Sequence, residues 1–144
     1  MRFRVFIVFA WSCWSVLLIS NAIANAAEDY RCHIERVALI GGDSGPRYKI
    51  YVDEFVGREF TVSRPSGIMA GALTNAYSRK PEVVDYGGGG NSYKVVTVMK
   101  RSEGVGAGSY VSVLTIQEYV ESPKKPFGYF ISDDGAFLGY CEHF

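Results

Sequence analysis

From Tyr30 to the C-terminus, apolar and polar residues trade places at every second position. Tyr30, Cys32 and Ile34 share one side of a run whose other side carries Arg31, His33 and Glu35. Tyr48, Ile50 and Val52 alternate in the same way within Arg47–Asp53, as do Phe60 and Val62 within 59–63. Further runs at 83–86, 92–100, 110–119, 127–132 and 137–141 are rich in Val, Ile, Tyr, Phe and Thr. Side chains of an extended chain point to opposite faces in turn, so this period selects strands with one buried face. Turn-forming clusters separate the runs: 41–46, Arg64-Pro65-Ser66-Gly67, 87–91, 104–109 and Asp133-Asp134-Gly135. The pattern predicts an all-β domain, one small antiparallel sandwich or barrel of seven to eight strands. The stretch 68–79 reads as strand then loop, with room for one short helix around 68–79, although Gly71 and Asn75 weaken a helix there.

The first 26 residues have a different character. Their only charges are Arg2 and Arg4, an apolar run extends from Val5 to Ile19, and Ala24-Asn25-Ala26 offers small residues at a cleavage site. These are the parts of a secretory signal. A retained anchor would want roughly 20 apolar residues, and this run is shorter and interrupted by Ser12 and Ser15. The expected organisation is a signal peptide at 1–26 and a single β-rich domain at 27–144. The expected location is periplasmic or secreted, with no stable membrane insertion after cleavage.

Removing the signal removes Cys13 and leaves Cys32 and Cys141 as an even pair. In an exported chain such a pair predicts a disulfide, here tying the first strand to the last. Loss of Arg2 and Arg4 also leaves 13 basic residues against 15 acidic ones. With no basic stripe, nucleic acid is not an expected partner.

Several segments imitate catalytic motifs without their context. Gly42-Asp43-Ser44-Gly45-Pro46 resembles the segment around the nucleophilic serine of trypsin-like proteases, but a triad needs a base and an orienting acid against the serine. The only histidine before Ser44 is His33, on an expected strand. The glycines at 87–90 and at 104, 106 and 108 precede strands rather than a helix N-terminus, so neither set forms a phosphate cradle. His33 and His143 lie near the two cysteines and could meet Glu35 or Glu142 in a metal site; half-exposed imidazoles on terminal strands are the simpler reading. No catalytic residue, cofactor-binding residue or metal ligand is therefore assigned. The domain instead carries ten tyrosines and, beyond the signal, six phenylalanines. Tyrosine combines a large rigid face with one polar tip and suits binding surfaces.

Phe60-Thr61-Val62-Ser63-Arg64-Pro65-Ser66-Gly67-Ile68-Met69-Ala70-Gly71, followed by Asn91-Ser92-Tyr93-Lys94-Val95, resembles a pattern in uncharacterised small exported proteins of Gram-negative bacteria. That resemblance implies compartment and a single domain, and no activity. Ser44-Gly45-Pro46-Arg47-Tyr48 is similar to the S-G-A-R-Y segment of the periplasmic inhibitors of chicken-type lysozyme, with Pro46 in place of the alanine. Those inhibitors are small eight-stranded barrels, and the resemblance implies a binding loop at Ser44, Arg47 and Tyr48. The expected function is a non-enzymatic exported domain that binds a protein or a small ligand. A lysozyme-inhibitor-like barrel and a small hydrolase or metal-dependent enzyme are the alternatives.

Overall fold

A computed structural model describes residues 29–75, 80–101, 103 and 108–144; the signal read at 1–26 lies outside them. Strand β1 (Tyr30–Leu39) leads through helix α1 (Gly45–Phe55) to β2 (Glu59–Val62) and β3 (Met69–Gly71). Then come β4 (Glu82–Tyr86), β5 (Tyr93–Met99), β6 (Tyr110–Ile116), β7 (Lys125–Ile131) and β8 (Gly135–His143). All are antiparallel neighbours in one sheet, ordered β3-β2-β1-β8-β7-β6-β5-β4, which curls into a half-barrel. The all-β expectation holds, and the single helix lies at 45–55. In the stretch 68–79, Met69–Gly71 is a strand and 72–75 is irregular; 76–79 lie outside the described residues.

Cross-strand rows of side chains fill the concave face. Tyr93, Ile116 and Phe127 face one another in register, and the next row is Val95, Leu114, Tyr129, Phe137 and Val37. Every one of these is buried. A third row starts with Thr97 and Ser112 and is more polar. It lies toward the end of the half-barrel that α1 covers. In β1 the inward positions step from Ile34 to Val37, because the ladder to β8 slips between Ile34 and Arg36. That bulge leaves Glu35 and Arg36 exposed and returns Val37 to the core.

The chain's first and last strands are neighbours inside the sheet, third and fourth of the eight. Cys32 and Cys141 face each other across β1 and β8, both fully buried, and form the expected disulfide. Their Cα atoms are 3.9 Å apart, closer than the roughly 4.4–6.8 Å usual for a bridge. Direct cross-strand register brings the two residues together.

The outer strands β3 and β4 form no ladder with each other; the β2–β3 turn contacts β4 and β5 instead. Arg64 Nη2 donates to the Tyr86 carbonyl at 2.8 Å, and the Tyr93 hydroxyl donates to the Arg64 carbonyl at 3.0 Å. Gly67 rests on Val83 and Val95. Asn75, buried, accepts from the Met69 N–H at 2.9 Å and donates to the Gly67 carbonyl at 2.8 Å. The turn itself begins one residue before the expected frame, with the Ser63 carbonyl accepting from both Ser66 and Gly67.

Candidate functional site

Residues 44–57 carry the signals that make a helix. Ser44 is the N-cap, with an extended backbone, and Pro46 occupies the first helical turn, where its missing N–H costs nothing. At the far end the Val56 N–H still reaches the Val52 carbonyl, and Gly57 turns the chain away at φ +82°. The strand expected over Arg47–Asp53 is therefore a correction: those residues are helical. Ile50, inward in the alternating reading, is exposed, whereas Tyr51 and Phe55, one turn apart, pack on the core. Ser44, Arg47 and Tyr48 accordingly lie at the N-cap and first turns of α1 rather than in a loop.

The anchor for α1 is Phe137 on β8. Its ring centroid lies 5.0 Å from that of Phe55, edge to face, and 6.3 Å from that of Tyr51, stacked. Such pairs add about 0.5–1.5 kcal/mol each beyond area burial. Between the helix and the sheet remains a cavity of about 210 Å³. Tyr51, Phe55, Tyr110, Tyr129 and Phe137 supply its rings, and Leu73, Ile131, Thr74 and Asp134 complete much of the wall. On one side the hydroxyls form a chain: Tyr129 donates to Ser112 Oγ at 3.1 Å, so the 2.6 Å contact between Tyr110 and Tyr129 is a donation from Tyr110. On the other side Asp134 Oδ1 accepts from the Tyr51 hydroxyl at 3.1 Å and from Arg47 Nη2 at 2.6 Å.

Arg47 also lies over the Tyr51 ring, its Cζ 5.6 Å from the centroid. The Tyr51 hydroxyl, opposed by partial desolvation and then helped by Asp134, raises Arg47 above the ordinary guanidinium value. This corner of the pocket thus favours positive charge. Both partners of the ion pair are solvent-accessible, with side-chain exposures of 54% for Arg47 and 38% for Asp134. An exposed pair of this kind contributes little to stability.

A second, larger cavity of about 420 Å³ lies outside the curl, a groove over Ala38, Ile40, Val111, Val113, Phe130 and Ala136. Its one side-chain hydroxyl is that of Ser132, so it offers little to orient a ligand. Small-molecule sites combine apolar walls with a few convergent polar groups, and the pocket beneath α1 is the better fit.

The two histidines are held apart. His33 stacks on Tyr140, with Glu59 3.9 Å away, while His143 Nε2 lies 3.1 Å from Glu118 and its ring 4.7 Å from that of Tyr30. Glu35 and Glu142 are exposed. Among the described residues, no three His, Cys, Asp or Glu side chains gather as metal ligands would, and no helix is long and apolar enough to cross a membrane. Sequence reasoning missed the pocket residues Tyr51, Phe55 and Phe137 as a group, and treated Asp134 only as a turn former. The spacing of Tyr51 and Phe55 after Ser44 and Pro46 was the available signal. Comparison of the chain with protein-family models, curated proteins and solved structures finds no match.

Proposed function

We propose that the chain is an exported, non-enzymatic β-domain that binds a small ligand in the pocket beneath α1. The observation that carries this reading is the ring-lined pocket of about 210 Å³ whose wall includes the Asp134 carboxylate and the hydrogen-bonded Tyr110 and Tyr129. The buried Cys32–Cys141 bridge supports an oxidising compartment, and the N-terminal apolar run supplies the export route. Saturation-transfer NMR with indole, p-cresol and choline tests the binding reading. At least one probe is expected to receive magnetisation from the protein, and Ala72→Phe, which fills the cavity, is expected to abolish the transfer. No transfer to any probe, or transfer unchanged by Ala72→Phe, would count against the pocket.

A second reading follows from the exposure of Ser44, Gly45, Pro46 and Arg47 at the start of α1. In it that surface docks a protein, in the manner that the resemblance to lysozyme inhibitors implies. Inhibition of chicken-type lysozyme that is lost in Arg47→Ala would favour it; full lysozyme activity in excess purified protein would remove it.

A further inference from the structure

We infer that the pocket's ligand is a small organic cation, bearing an alkylammonium or guanidinium group, that enters by displacing Arg47 from Asp134. This rests on the pocket being a binding site. Arg47 already displays the two contacts that recognise such a group: an aromatic face, with its Cζ 5.6 Å from the Tyr51 centroid, and a carboxylate, with Nη2 2.6 Å from Asp134 Oδ1. The remaining carboxylate oxygen, Oδ2, takes no hydrogen bond from the described residues. Among the described residues Asp134 is the one charged side chain that lines the cavity, and Phe55 and Phe137 offer further ring faces beside it.

Alternatives fit less well. An anion would meet a carboxylate with no Lys, Arg or His in the cavity wall among the described residues. A neutral ligand would gain no charge attraction from that carboxylate. Arg47 is free to leave because more than half of its side chain is already in water, so displacement returns it to solvent rather than burying a charge. Arg47 acts as a resident competitor, and the apparent affinity is lowered by the fraction of molecules in which it occupies the site.

The test compares choline with 3,3-dimethyl-1-butanol, which has nearly the same shape without the charge, by calorimetric titration of the purified protein. Choline is expected to bind about tenfold or more tightly than the alcohol. Arg47→Ala, and Arg47→Gln as a variant that keeps the aliphatic stem, are expected to tighten choline by about two- to sixfold, the range an exposed ion pair can supply, and leave the alcohol unchanged. Asp134→Asn preserves the turn's backbone bonds and is expected to lose choline binding. Equal affinities for the two compounds would overturn the cation assignment while leaving the pocket reading in place, as would binding of the alcohol alone. Weaker choline binding in both Arg47 variants would overturn the competitor role. No binding of choline to the unaltered protein or to either Arg47 variant would overturn the whole inference, while the indole and p-cresol probes report separately on the pocket.

Discussion

Gly57 and Gly67 both take positive φ, +82° and +70°, yet a methyl group would meet very different surroundings at the two positions. At Gly57 nothing lies within 4 Å of the added carbon, so Gly57→Ala is expected to cost about 1 kcal/mol, the conformational penalty alone. At Gly67 the carbon would sit 2.7 Å from Val95 Cγ1, in the seam where the β2–β3 turn packs on β4 and β5. Gly67→Ala is expected to cost about 2–4 kcal/mol, strain and overpacking together. Urea denaturation of the two variants checks this, and equal losses would mean that the seam does not close as described. Buried phenols give a second prediction at this scale. Tyr30 and Tyr93 are raised well above the ordinary tyrosine value, mainly by burial, with the neighbouring Glu118 adding to it at Tyr30 and Tyr86 at Tyr93. A raised folded value means that stability is fully present below the unfolded value of about 10 and falls as the pH climbs above it. Phenolate absorbance should therefore show these two tyrosines ionising only together with unfolding; early titration of all the tyrosines would contradict their burial. Asn75 and Asp134 show where residue-level reading stops. Each was legible as a poor helix former or a turn former, but their partners, Met69 and Gly67 for one and Tyr51 and Arg47 for the other, depend on tertiary placement.

Among the elements, the strands were legible because burial on one face writes a period of two directly into the chain. The bulge in β1 was legible in principle too, as the three-residue step from Ile34 to Val37. Helix α1 was misread because Tyr48, Ile50 and Val52 satisfy a period of two by coincidence. The same segment satisfies a helical period through Tyr48, Tyr51, Val52 and Phe55, and its N-cap Ser44, Pro46 and terminal Gly57 should have decided between them. The helix has no fully buried residue, so its attachment depends on the Tyr51 and Phe55 contacts with Phe137. Phe55→Ala is expected to lower stability by about 1–3 kcal/mol and to abolish ligand binding, since it removes one wall of the pocket. Retained probe binding in a folded Phe55→Ala protein would separate the helix from the site.

At the scale of the whole molecule, the first and last strands pair inside the sheet and the disulfide fixes them there, closing a sequence separation of 109 residues. Replacing Cys32 or Cys141 with Ser is expected to cost about 2–5 kcal/mol, read as a lower urea midpoint, with no comparable loss under reducing conditions, where the bridge is already open. That pairing was legible from the two cysteines that lie beyond the expected signal segment, whereas the pocket was not, because its walls come from α1, the segment after β3, and β6 to β8, brought together only by the curl. Two of the cavities meet near the β7–β8 turn, with Ile131 lining both. Amide chemical-shift mapping with choline distinguishes them most directly. Perturbations centred on Tyr51, Phe55, Leu73, Thr74, Asp134 and Phe137 are the predicted result. Perturbations centred on Ala38, Val113 and Phe130 in the outer groove, or none at saturating choline, would contradict it.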